Sequence, residues 1–226
     1  MPKPLLFIVL IDALNVPGQL TGHHLSLIHI LDLMDQYNLW EDTLLIVNTD
    51  HGFLLGEHDF WGKNAMPYYN ETAHTPLFIW DPRSKKQNER RSALVQTIDL
   101  PLTLLEYFGV PATSDMQGHS LAETIASDKP VREAGLFGIF GGHICCTDGK
   151  YVYMRGAKDR SNKPLFQYTL MPTHMRGRFT VEELQTAELA KPFSFTKGCP
   201  LVKTRCAAWG AEQDPYGLDG YCYRCV

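Results

Sequence analysis

Two unbroken apolar runs organise the first part of the chain. Leu5 to Ile11 ends at Asp12, and Leu44 to Val47 leads through Asn48 to Thr49-Asp50-His51-Gly52. A run without polar alternation suits a strand buried on both faces, as in a parallel sheet. Between the two runs, Leu25, Ile28, Leu31 and Met34, with Leu27 and Ile30 beside them, recur at helical spacing and predict a helix from about His24 to Tyr37. Strand, helix, strand is the order of an α/β unit. A third strand is expected at Leu77–Trp80, closed by Asp81-Pro82. Apolar residues at helical spacing follow from Ala93 to Phe108. Pro101 either kinks that helix or starts its second half, and Gly109-Val110-Pro111 ends it.

The pattern changes after about Ala134. Leu136–Phe140, His143–Thr147 and Lys150–Met154 are short strand-like runs, and Asp148-Gly149 between the last two is a hairpin signal. A small antiparallel sheet appended to the α/β part is the expectation. From about Cys199 the periodicity fades. The chain thus divides into an α/β core over 1–133, a small-sheet subdomain over 134–204 and an irregular tail over 205–226.

Composition adds limits. The 226 residues are 44% hydrophobic and 20% charged, with a net charge of -4, ordinary for a globular protein. Neither nucleic acid nor an anionic membrane is suggested as partner. The basic run Arg83, Lys85, Lys86, Arg90, Arg91 contains Glu89 but no aromatic residue, so it reads as a solvated loop. The longest apolar run is too short for a membrane span, and Asp12 interrupts it as a signal peptide, which leaves a cytoplasmic location as the default. Six cysteines give no disulfide framework. Cys222-x-x-Cys225 could be half of a zinc site, but no second such pair exists and free thiols are the plainer reading.

The chemistry concentrates after the second strand. A hard divalent cation takes carboxylate oxygen and tolerates imidazole nitrogen. Asp50 and His51 would point to opposite faces of a continuing strand. They converge on one ion only where the strand has ended, and Gly52 permits that bend. The imidazole must be neutral to bind, so such a site weakens at low pH. Gly56-Glu57-His58 and Gly62-Lys63 follow. Lys63 could hold an anionic ester oxygen as a point charge. A cation and an ammonium together suit a sulfate or phosphate group.

The stretch Leu39–Pro82, LWEDTLLIVNTDHGFLLGEHDFWGKN…ETAHTPLFIWDP, resembles the late core of the sulfatase family, within the alkaline-phosphatase-like superfamily. TIDLPLTLLEYFGVP, MQGHSLAETI and TDGKYVYMR look like the family's downstream core and C-terminal small sheet. The resemblance implies an α/β, alkaline-phosphatase-like fold: a partial, mostly parallel sheet flanked by helices, with a small C-terminal antiparallel sheet. It implies that Asp50 and His51 ligate a divalent cation, calcium first, with manganese, magnesium or zinc as alternatives. Lys63 would contact the sulfate, His58 stands at a recurring family position with a catalytic role, and His74 and Thr75 lie near the substrate side. PLLFIVLIDALN resembles the family's first strand, which would add Asp12 to the cation shell; it also suits the later family strand that precedes the helix.

The family's nucleophile, a cysteine or serine in Cys/Ser-x-Pro/Ala-x-Arg, matches none of the six cysteines. The join HHLSLIHIL resembles neither family neighbour, so residues 1–30 read as the junction of a truncated or chimeric chain. The resemblance therefore implies hydrolysis of a small-molecule or glycan sulfate ester by the parent enzyme, with this chain catalytically incomplete. Two alternatives stay open: a phosphodiesterase or phosphonate monoester hydrolase of the same superfamily, and a non-catalytic metal-binding fragment.

Overall fold

The strand that carries the candidate site is buried along its whole length. In the computed structural model, β1 (Leu5–Leu10) and β2 (Thr43–Asn48) pair in parallel from Leu5↔Thr43 to Leu10↔Asn48, so both end at one sheet edge. The structure describes residues 5–10, 20–63, 68–158, 162–171, 173–174, 177–206 and 221–224, with side chains within these ranges from residue 27 to residue 206. Asp12 lies outside the described residues.

Helix α1 (Leu20–Gln36) connects the two strands, as the periodicity predicts. Its inward stripe differs from the expected one. Met34 is fully buried against Leu45 and Val47, with Leu27 and Ile30 beside it, whereas Ile28 and Leu31 are exposed. The helix is apolar on more than one face, so spacing alone left two possible stripes.

A hairpin follows, with β3 (Leu54–Leu55) antiparallel to β4 (Trp61–Gly62), and then a single helical turn, α2 (Asn70–Ala73). Strand β5 (Leu77–Trp80) completes the first sheet but runs antiparallel to β2, from Leu45↔Trp80 to Asn48↔Leu77. The sheet is thus mixed where a parallel neighbour was expected. Strand direction leaves no mark on an apolar run of four residues. Helix α3 is shorter than the periodicity suggested, spanning Asp99–Tyr107. Pro101 sits in its first turn, where a missing N–H costs nothing, so of the two readings the proline starts the helix.

The C-terminal part begins after α4 (Ala122–Ser127). Strands β6 (Gly135–Gly138), β7 (Ile144–Thr147) and β8 (Tyr151–Arg155) form the expected antiparallel meander. The hairpin between β7 and β8 turns at Asp148-Gly149: Gly149 has φ +88°, and the Asp148 carboxylate accepts from the N–H groups of Lys150 and Tyr151. Beyond them lie β9 (Leu165–Thr169), the short β10 (Thr173–His174) and β11 (Gly177–Arg178), helix α5 (Val181–Gln185) and β12 (Glu188–Ala190).

The expected loss of structure after Cys199 is corrected. Strand β13 (Leu201–Cys206) lies between β12 and β9, and β14 (Tyr221–Arg224) adds an edge to β8. These strands carry few aliphatic residues, and their cross-strand partners lie far away in sequence, so no local signal marks them. Of the cysteine pair, Cys222 sits in β14 and Cys225 lies outside the described residues.

The two parts share one core. Leu54 of the hairpin and Tyr69 pack with Cys145, Val152 and Met154 of the C-terminal sheet, all nearly inaccessible. The small sheet is therefore the floor beneath the loop that follows β2.

Candidate active site

Strand β2 stops at Asn48, and the chain emerges from burial over two residues. Thr49 is buried, while the Asp50 side chain is 65% exposed and that of His51 23%. The turn is held locally. The Thr49 hydroxyl lies 3.2 Å from the His51 carbonyl and 3.4 Å from Asp50 Oδ1. The His51 N–H donates to the same Oδ1 at 3.0 Å. This local bonding leaves Oδ2 to face outward, and His51 Nε2 lies 3.4 Å from it.

The tautomer follows from the other ring nitrogen. His51 Nδ1 is 3.0 Å from the Gly52 carbonyl, which can only accept, so Nδ1 is assigned the proton. In the neutral ring, Nε2 then presents a lone pair toward a carboxylate oxygen. Two acceptors facing each other repel unless a cation or a proton stands between them.

Gly52 fixes this turn to α2. Its N–H donates to the Thr72 carbonyl at 2.8 Å, and a Cβ there would meet the Glu71 carbonyl oxygen at 1.8 Å. Only glycine permits that approach. Asn48, two residues before Asp50, has its side-chain Oδ1 buried without a hydrogen-bond partner, and so has the Thr72 hydroxyl.

The hairpin carries the other two candidates. His58 and Asp59 both take left-handed backbone, at φ 57° and 61°. The His58 ring stacks on Tyr69, with centroids 3.6 Å apart and planes 11° from parallel. Its Nε2 lies 3.3 and 3.4 Å from the two Glu71 carboxylate oxygens. Lys63 is half-buried and follows β4 directly. His74 is exposed and Thr75 half-buried before β5.

The structure thus joins Asp50 to His51. It ties His58 to Glu71 and Tyr69, which sequence reasoning did not single out. Glu71 stands within a quoted motif, but its pairing spans 13 residues and leaves no periodic trace.

A carboxylate oxygen and a neutral imidazole nitrogen are donors a divalent cation accepts, and the orphaned Asn48 oxygen lies in the strand behind them. Among the described residues no cluster of three or more His, Cys, Asp or Glu side chains could hold a metal ion. Asp50 and His51 thus offer two donors of a type that fits such an ion.

Cys145 is fully buried in the shared core, and burial pushes its thiol up to about 12. At neutral pH it is an inert packing group.

Known proteins resemble this part of the chain. Residues 56–140 match the family model described as N-sulphoglucosamine sulphohydrolase, C-terminal. That stretch is similar to the C-terminal region of sulfatases. The chain is 34% identical over 104 residues to an N-acetylglucosamine-6-O-sulfatase of Bacteroides thetaiotaomicron, covering 46% of the chain and 17% of that relative. It is 31% identical over 107 residues to human arylsulfatase K, covering 46% of the chain and 19% of the relative. It is 33% identical over 98 residues to the multifunctional alkaline phosphatase superfamily protein PehA of Trinickia caryophylli, covering 43% and 19%. The chain thus spans under a fifth of the length of these relatives.

Two solved structures show the same fold. One is BT4656 in complex with its substrate D-glucosamine-2-N,6-O-disulfate, with TM-score 0.55 and 24% identity over 62% of this chain and 30% of that one. The other is the phosphonate monoester hydrolase SpPMH from Silicibacter pomeroyi, with TM-score 0.52 and 23% identity over 60% and 31%. This chain therefore has the alkaline-phosphatase-like fold, in part.

Proposed function

We propose that this chain carries the cation-binding and ester-contacting part of a sulfatase site, acting on a sulfate ester of a small molecule or glycan. One observation carries the reading: Asp50 Oδ2 and His51 Nε2 lie 3.4 Å apart, on a turn fixed at the end of a buried strand. The relatives named for sulfatase activity support the sulfate ester as substrate class.

Asp50 supplies negative charge and His51 a neutral nitrogen to a divalent cation, calcium first. When bound, such a cation polarises the ester's charged oxygens as a Lewis acid. Lys63 holds a second ester oxygen and stabilises charge on the leaving oxygen. The Gly52 anchor keeps the pair in place without reorganisation. No Cys/Ser-x-Pro/Ala-x-Arg motif occurs in these 226 residues, so the chain binds the ester and turns it over little.

A second reading rests on the likeness to PehA. The same cation donors and Lys63 suit a phosphonate or phosphate diester equally well, and the residue that would separate the two chemistries is the nucleophile.

The test is calorimetric titration of p-nitrophenyl sulfate with and without calcium, alongside p-nitrophenyl phenylphosphonate. Calcium-dependent binding of the sulfate ester, weakened about tenfold by Lys63→Ala (roughly the 1–2 kcal/mol of a charge-assisted contact), is expected. Preference for the phosphonate selects the second reading. Calcium-independent binding that Lys63→Ala leaves unchanged contradicts both. Rapid hydrolysis abolished by Lys63→Ala overturns the missing nucleophile.

A further inference from the structure

A histidine at the tip of the hairpin is a natural candidate for proton transfer, but its surroundings assign it another task. His58 stands in a turn built from strained backbone. Gly56 has φ +120°, His58 and Asp59 are both left-handed, and Gly62 has φ +136°. Two successive non-glycine residues in the left-handed region cost free energy and persist only where neighbours hold them. Those neighbours are Tyr69 and Glu71, on the chain entering α2. The ring face lies flat on Tyr69, and Nε2 lies between the two oxygens of Glu71. With its face covered and Nε2 engaged by a carboxylate, the ring is committed to α2.

The same segment grips the turn that carries Asp50 and His51. Gly52 donates to the Thr72 carbonyl and lies in contact with that of Glu71. Residues 69–72 therefore hold the two candidate elements at once, one through backbone and one through side chains. The hairpin transmits the second attachment. Gly56 N–H donates to the Phe60 carbonyl, Leu54 pairs with Gly62 and Leu55 with Trp61, and Lys63 is the next residue. Leu54 anchors the base of the hairpin in the shared core, and the His58 contacts fix its tip.

We propose that His58 and Glu71 are positioning residues: with Tyr69 they clamp the hairpin tip to α2 and so set the place of Lys63 relative to the Asp50–His51 turn. The inference rests on the reading of Lys63 as the ester-contacting cation. It separates His58 from proton transfer and makes Glu71 a functional residue that touches no substrate.

The test uses NMR of the whole chain, with inorganic sulfate as the anion probe. Without ligand, the carbon-bound ring protons of His58 are expected upfield, shielded by Tyr69. Glu71→Gln is expected to shift the backbone amides of Gly62 and Lys63, leaving those of β7 and β8 in place. His58→Ala is expected to do the same, and His58→Gln, which keeps an N–H for Glu71, to restore much of the native pattern. An unshielded His58 ring, or unmoved Gly62 and Lys63 amides in Glu71→Gln, overturns the clamp whether or not the chain binds sulfate. Titration then tests its purpose. Glu71→Gln is expected to weaken sulfate on the order of threefold to tenfold, and to have no further effect on a Lys63→Ala background. Equal weakening on both backgrounds overturns the assignment to Lys63. Failure of the unsubstituted chain to bind sulfate, with the ligand-free shifts as expected, refutes the functional reading and leaves the clamp standing as geometry.

Discussion

Asp99 and Asp50 each stand near a cationic or ionisable partner, and they do opposite things. Asp99 is fully buried, and Arg132 grips both its oxygens at 2.5 and 2.6 Å. The N–H groups of Gln96 and His119 donate to the same carboxylate. Every lone pair has a partner, and the group ties the start of α3 to chain on both sides of α4. Asp50 is mostly exposed, its Oδ1 takes only the adjacent Thr49 hydroxyl and His51 N–H, and His51 Nε2 lies 3.4 Å from its Oδ2. The first arrangement is complete and serves the fold. The second leaves donor atoms at the surface, and the role proposed for them is to hold a cation.

Breaking each pair should separate them by a wide margin. Arg132→Ala leaves Asp99 buried without its counter-charge, and a loss of about 3–5 kcal/mol is expected in urea unfolding. A loss under about 1 kcal/mol, comparable to an exposed pair, would erase the contrast. Next comes the anchor between the site and α2. Gly52→Ala places a methyl group against the Glu71 carbonyl, so a cost of about 1–3 kcal/mol is expected, together with loss of any calcium response. Native stability with an intact calcium response would show that the turn is not held there.

Acid sharpens the same comparison. Burial works to raise the Asp99 carboxyl above its ordinary value of 3.8, but Arg132 and the N–H groups of Gln96 and His119 outweigh it and hold the group below that value. A carboxyl depressed on folding gives stability that is complete above its unfolded value and lost as pH falls through the folded one. Stability should therefore hold down to about pH 4 and fall below it, with a smaller acid loss in Arg132→Ala. Equal acid sensitivity in both would remove Asp99 from the account. The smallest effect is expected at the site itself: Asp50→Ala without calcium should change stability by under about 0.5 kcal/mol, since the side chain is exposed.

What the sequence revealed follows from the range of each interaction. The apolar runs of β1 and β2, the turn at Asp148-Gly149 and the motif after Asn48 are local patterns, and all three were legible. The antiparallel direction of β5, the pairing of β13 and β14, and the exposed Ile28 and Leu31 depend on partners elsewhere in the chain. The same holds for side chains. Asp50 and His51 are adjacent and were found, whereas Glu71 meets His58 across 13 residues and Arg132 meets Asp99 across 33. Asp12, expected in the same shell, lies outside the described residues.

The central claim is that Asp50 and His51 form part of a cation site. Thermal unfolding of the chain and of Asp50→Ala, each with and without millimolar calcium, tests it most directly. Binding to the folded state alone raises the melting temperature by mass action, and the rise grows with cation concentration. The account predicts a calcium-dependent rise in the native chain and none in Asp50→Ala, with the two melting alike when calcium is absent. No rise in the native chain, or the same rise in both, would contradict it.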